Sequence, residues 1–292
     1  DRIQKEQGPV DILVNNAGNH CKKYIWDMSV EDYKNVLDVH LVGAFALTKA
    51  FIPQMKERGF DTFELWSLDG IDLAALKAQK DRFGMRLSAC CPSFFILNDE
   101  RRHEEYEAAL RKVAAQASSL DCPSLITQVG QDTGAPRAQQ HAAILKGLRR
   151  MEPILREYGL TLLVEPLNSV KDHKGYYLTD SNEGFDLIRE VDSPRVRLLY
   201  DIYHQHHMGE DVLRRIEDNL GLIGHYHIAG HPNRDEKIFE NFDYRAVFDL
   251  LKKHNVTAPV GVELFPSSED ALRQLLDDYP DASQREAAAD AL

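Results

Sequence analysis

Short apolar runs alternate with longer stretches in which apolar residues recur every three or four positions, and this alternation persists almost to the end of the chain. The runs have strand length and sit at Ile12–Asn16, Thr62–Trp66, Arg86–Cys91, Leu125–Val129, Thr161–Pro166, Val196–Tyr200, His225–Ala229 and Val260–Phe265. The intervening periodicity predicts helices over Glu31–Arg58, Leu73–Arg82, His103–Ser119, Gln139–Tyr158, Glu183–Glu190, Val212–Asn219, Tyr244–Lys253 and Glu269–Asp278. Strands separated by helices require right-handed crossovers and so a parallel sheet. Near-continuous Ile/Leu/Val strands are buried on both faces. An eightfold β/α count is what a closed (β/α)8 TIM barrel needs; an open doubly wound α/β sheet shares the alternation and stays open on the count alone.

Length 292 and an apolar content of 43% supply enough side chains for one large core. An excess of acids over bases, 47 against 35, leaves a formal charge of −12, which argues against nucleic acid as a partner. No apolar run has the length of a membrane span, so no membrane partner is expected. The cysteines Cys21, Cys90, Cys91 and Cys122 lack CxxC spacing, which suits reduced thiols in a cytoplasmic protein. The balance is that expected of a soluble, acidic, intracellular globular protein, with a homo-oligomer left open. Residues 280–292, rich in Ala and Asp, read as a loose tail.

Four late strands end in a polar group out of keeping with an apolar core: Glu165, Asp201, the His225–His227 pair and Glu263. A lone buried carboxylate costs several kcal/mol unless it is paired or binds a metal. In a barrel the C-terminal end of every strand faces one mouth, so Glu165, Asp201, His227 and Glu263 can converge on one cation. Three carboxylates and one imidazole suit Mn²⁺ or Mg²⁺, with Co²⁺ also admissible. Glu64 and Trp66 at the end of the second strand can line the pocket, with Trp66 capping a small substrate. His206, His207, His231, Lys171 and Lys174 read as loop residues, and His225 as pocket wall.

Two parts of the chain carry family resemblances. Asp11-Ile-Leu-Val-Asn-Asn-Ala-Gly18 and the long helix carrying Asp38-Val-His-Leu-Val-Gly-Ala-Phe45 resemble the middle of a short-chain dehydrogenase over residues 1–59. The dinucleotide loop and Tyr-x-x-x-Lys pair of that family are missing, so no NAD is expected; this segment reads as a donated first β/α unit, paired between the strands at Thr62–Trp66 and Val260–Phe265. From about residue 60 the chain resembles the xylose-isomerase-like barrels, most closely the hydroxypyruvate isomerase family. The matching pieces are Val164-Glu-Pro-Leu-Asn168, Tyr200-Asp-Ile-Tyr-His204, Ile223-Gly-His-Tyr-His-Ile-Ala-Gly230 with Pro232-Asn-Arg-Asp-Glu236, and Val262-Glu263.

The resemblance implies metal ligation by Glu165, Asp201, His227 and Glu263, acid–base catalysis by Glu165 and Glu263, and substrate contacts from His204, Arg234 and Glu236. In the hydroxypyruvate isomerase family the third ligand is commonly Gln; His227 stands there in this chain, as in related ketose epimerases. The implied activity is isomerisation of a small hydroxy-carbonyl or sugar-like substrate through an enediolate. A ketose 3-epimerase, and a chimeric barrel with little or no activity, are the alternatives. A DNA-repair endonuclease on the same fold would need a richer His/carboxylate cluster and a basic face. The expected organisation is a first β/α unit at 1–59, barrel remainder at 60–279 and tail at 280–292.

Overall fold

A computed structural model describes residues 61–265 of the chain. The strand expected at Ile12–Asn16, the helices at Glu31–Arg58 and Glu269–Asp278, and the tail lie outside the described residues. Within them, seven strands form one sheet in chain order: β1 (Thr62–Leu65), β2 (Arg86–Cys90), β3 (Ser124–Thr127), β4 (Thr161–Val164), β5 (Val196–Asp201), β6 (Ile223–Ile228) and β7 (Val260–Val262). Every neighbouring pair is parallel, and the sheet curls into a nearly closed barrel wall. The helices are α1 (Leu73–Arg82), α2 (His103–Ser119), α3 (Arg137–Tyr158), α4 (Ser181–Val191), α5 (Ile202–His207), α6 (Val212–Asn219) and α7 (Tyr244–Lys253).

The chain marks its own helix starts. Asp72, Asp180, Asp211 and Asp243 stand immediately before α1, α4, α6 and α7, and each accepts a hydrogen bond from a first-turn backbone N–H. At the end of α3, Gly159 takes the left-handed conformation (φ 70°) that closes the helix and turns the chain into β4.

Alternation along the strands divides the interior into two layers. Outward residues such as Leu162, Val164, Leu198 and Tyr200 pack under the helices in the main core. Inward residues Ala89, Cys91, Ile126, Leu163 and Leu199 form a second, smaller apolar cluster inside the barrel. Two positions beyond Leu163 and Leu199 on the same face come Glu165 and Asp201. The inside of the barrel is thus largely apolar beneath, with His225 in register with Leu199, and ionisable at the C-terminal mouth.

α5 replaces the expected loop after β5, and His206 and His207, read from sequence as loop residues, lie in its last turn. Six residues are too few for a helical apolar stripe to show. The start is nonetheless built in, because Asp201 Oδ1 accepts from the His204 backbone N–H at 3.1 Å.

Candidate metal centre and active site

Strand register brings the four expected ligands together. Asp201 pairs with His227 across β5–β6, and His227 with Gly261 across β6–β7. Glu165 and Glu263 fall one residue past β4 and β7. Each is still held by its neighbour's ladder, Glu165 N donating to Thr127 O at 2.9 Å and Glu263 N to Ile228 O at 3.1 Å. One ligand atom from each of Glu165, Asp201, His227 and Glu263 lies within 4.8 Å of the others. Glu165, Asp201 and His227 are buried and Glu263 is partly so.

The hydrogen bonding of these groups is conspicuously incomplete. Glu165 Oε2 accepts from Gln128 Nε2 at 2.8 Å, but Glu165 Oε1 is buried without a partner. His227 Nδ1 lies 2.9 Å from Glu263 Oε2 and 3.9 Å from Glu165 Oε1, yet in neither case along a hydrogen-bond direction. Buried polar atoms are almost always satisfied. A carboxylate oxygen and an imidazole nitrogen left bare and facing one another are what a hard divalent cation would complete, so the donor set fits such an ion.

The surrounding charges separate the two glutamates. Burial, reinforced by the Glu263 carboxylate, pushes the Glu165 carboxyl up to about 8. Burial also acts upward on Glu263, but His227 and the Arg234 guanidinium hold it down to about 2. Arg234 Nη2 lies 2.8 Å from Glu263 Oε2 and 3.7 Å from Asp201 Oδ2. Its guanidinium sits between the rings of Tyr203 and Phe265, 5.5 Å from each centroid. Its backbone takes a left-handed φ of 58°, pinned by Arg234 N donating to Gly230 O at 2.7 Å and Phe265 N donating to Arg234 O at 2.6 Å. A non-glycine residue in this region is held there by its surroundings.

His204 faces the same space, with Nε2 buried, unpartnered and 3.4 Å from Asp201 Oδ2. The Asn168 amide donates to His204 Nδ1 at 2.7 Å, which assigns the ring hydrogen to Nε2. Burial lowers the His204 pKa to about 4, so the ring is neutral and can offer that N–H to a substrate oxygen.

The other expected residues are less central. Glu236 is buried in the loop after β6, where its carbonyl accepts from Ile238 N at 2.8 Å. Trp66 follows β1 and stands 54% exposed, so capping a substrate requires its ring to fold inward. His225 faces inward beside His227 as expected, their ring centroids 5.1 Å apart. Gln128 and Asn168, which hold Glu165 and His204, were given no role by the sequence reading. Asn168 was legible only as the last residue of a motif, and Gln128 carried no signal.

Comparison with known proteins agrees with this architecture. The Xylose isomerase-like TIM barrel family matches residues 52–288, and the short chain dehydrogenase family matches residues 1–60. Hydroxypyruvate isomerase of Escherichia coli is 27% identical over 186 residues, 63% of this chain and 69% of the relative. The 3-dehydro-D-guloside 4-epimerase of the same organism is 26% identical over 247 residues, 76% of this chain and 92% of the relative. Among solved structures, an AP endonuclease, family 2, from Brucella melitensis superposes with a TM-score of 0.73 at 24% identity, covering 79% of this chain and 92% of that one. At that identity the likeness concerns the fold.

Proposed function

The chain belongs to the xylose isomerase-like TIM barrel family, and from that premise we propose that it is a divalent-metal-dependent isomerase acting on a small hydroxy-carbonyl substrate such as hydroxypyruvate. The relatives with which it aligns are named isomerases and epimerases, and the chain is an enzyme of the isomerase class. The single observation that carries the finer reading is the convergence of Glu165, Asp201, His227 and Glu263 with unpartnered donor atoms turned toward one another.

A cation held by these four residues would supply positive charge to a substrate's carbonyl and hydroxyl oxygens and so stabilise an enediolate. The proton transfers fall to the protein. Isomerisation removes a proton from the carbon bearing the hydroxyl, moves the electron pair into an enediolate and returns a proton to the neighbouring carbon, while the hydroxyl's own proton passes to the former carbonyl oxygen. Glu263 and Glu165, on strands three apart, can serve as the two proton-carrying groups, in either direction. His204 Nε2–H can donate to a substrate oxygen, and Arg234 offers a fork of hydrogen bonds to a hydroxyl or carboxylate. Substrate is then held between a donor-rich side and the paired glutamates.

A ketose 3-epimerase is the second reading, favoured by His227 at a position where the hydroxypyruvate isomerase family commonly carries Gln. The test is turnover of hydroxypyruvate, fructose, tagatose and an inosose by the Mn²⁺-supplemented chain in deuterated water. The first reading expects hydroxypyruvate to be the best substrate, with solvent deuterium at the carbon that receives the proton. Preference for a ketose shifts the assignment to the epimerase. Complete retention of substrate hydrogen, together with near-normal turnover of Glu165→Gln or Glu263→Gln, refutes the proton-transfer mechanism.

A further inference from the structure

We infer that Glu64 is a positioning residue for the cation site, fixing His227 so that Nε2 is bonded away from the ligand cluster and Nδ1 is presented to it. This rests on reading Glu165, Asp201, His227 and Glu263 as the cation-binding set. Glu64 lies on β1, the strand farthest in sheet order from β7, and its side chain reaches across the barrel to β6. Glu64 Oε2 is hydrogen-bonded to His227 Nε2 at 2.9 Å. Glu64 Oε1 accepts from Ser88 Oγ at 3.2 Å and lies 2.7 Å from His225 Nε2. The carboxylate is therefore held from β2 and placed against both histidines of β6.

An imidazole that donates from Nε2 has its ligand lone pair on Nδ1. Nδ1 is the nitrogen of His227 that has no hydrogen-bond partner and faces Glu165 and Glu263. A carboxylate behind a ligating histidine fixes the ring's orientation and raises its basicity. The neighbouring strand leaves room for this contact. A Cβ at Gly261 would stand 2.8 Å from Glu64 Oε1 and 2.9 Å from His227 Cδ2, so β7 carries glycine where carboxylate and ring lie against it. Glu64, His225 and His227 also have ligand atoms within 4.8 Å of one another, which makes a separate cation site the rival reading. The bond from His227 to Glu64 opposes it, because a nitrogen carrying that hydrogen has no lone pair for a metal.

Mn²⁺ titration by calorimetry, with free Mn²⁺ counted by electron paramagnetic resonance, tests this on the full chain. Wild type should bind one Mn²⁺. Glu64→Leu, which removes the acceptor, should bind it about 10–100-fold more weakly. Glu64→Gln, whose side-chain carbonyl can still accept from Nε2–H, should recover most of the loss. Equal Mn²⁺ affinity in wild type and Glu64→Leu overturns the inference while leaving the cation reading intact. A wild-type chain that binds no Mn²⁺ overturns both. Two bound Mn²⁺ ions, one lost on His225→Gln, overturns it in favour of the rival site. Long-range ¹H–¹⁵N spectra of the Zn²⁺-loaded wild type need no variant to fold: a protonated His227 Nε2 with a metal-shifted Nδ1 supports the inference, and the reverse assignment overturns it.

Discussion

Asp201 caps α5 and, in the proposed site, is a cation ligand, and the two roles can be separated experimentally. Its Oδ1 caps α5 through the His204 N–H at 3.1 Å, while Oδ2 faces Arg234 and the ligand cluster. Asp201→Ala removes both functions; Asp201→Asn keeps a capping oxygen and removes the charge, since asparagine is as good an N-cap as aspartate. In the absence of metal, Asp201→Ala should lose about 1 kcal/mol from the cap, roughly 2–4 °C in melting temperature for a domain of this size. Asp201→Asn should lose little, because it also relieves crowding among three carboxylates. With Mn²⁺ at a hundredfold excess over its dissociation constant, wild type should gain about 2.7 kcal/mol, which is roughly 5–11 °C. A hundredfold loss of affinity leaves only about 0.4 kcal/mol of that gain at the same Mn²⁺ concentration. Differential scanning fluorimetry with and without Mn²⁺ on the three proteins gives all six values. An Asp201→Asn protein that rises with Mn²⁺ as far as wild type does would refute the assignment of Asp201 as a ligand.

Three further outcomes follow from the same geometry. Glu165→Gln and Glu263→Gln should each lower turnover by a factor on the order of 10² or more, with a smaller change in substrate binding; near-normal turnover in either variant removes that glutamate from proton transfer. Gly261→Ala forces Glu64 or His227 to move and should destabilise the fold by about 1–3 kcal/mol in urea unfolding, an unchanged midpoint meaning that the clamp is looser than its distances suggest. His141 lies 3.1 Å from Glu183 and 3.0 Å from Glu190, and although burial opposes its charge, these carboxylates raise its pKa. The stability it contributes is therefore fully present below the unfolded value of about 6.5 and is lost as pH rises through the higher folded value. The wild-type advantage over His141→Ala should shrink across that interval, and an advantage that grows with pH contradicts the assignment.

What the sequence made legible, and what it hid, divides by the range of the interaction. All seven described strands overlap the apolar runs, and in β2 to β6 this is because burial on both faces writes itself into consecutive residues, whereas β1 and β7 are largely half-buried. Glu165, Asp201, His227 and Glu263 stood out as ionisable residues at the ends of such runs, where only a shared partner makes burial tolerable. Strand ends were less visible. The run Val260–Phe265 continues past the observed end at Val262 because Leu264 stays in the core, 1% exposed, after the ladder has ended. The link from Glu64 to His227 spans 163 positions and could not be read at all. A carboxylate near the end of a strand is ambiguous until the fold shows which imidazole it meets.

The position of the four proposed ligands in the sheet has its own consequence. Glu165, Asp201, His227 and Glu263 come from β4, β5, β6 and β7, four consecutive strands each paired with the next. Their convergence depends on local register and on the inward face shared by Leu163 with Glu165 and by Leu199 with Asp201, a relation set by the two-residue period. Closure of the whole circle is not needed to bring them together. From the first part of the wall, β1 to β3 and the residues just past them, Glu64 touches His227 and Gln128 touches Glu165, and neither is one of the four. A change in the first part of the wall should therefore act on the proposed site through the setting of His227 or Glu165, reducing cation affinity by degrees, whereas a change at one of the four residues from β4–β7 removes a proposed ligand outright. The graded loss expected of Glu64→Leu and the near-complete loss expected of Asp201→Asn are the two forms of that distinction.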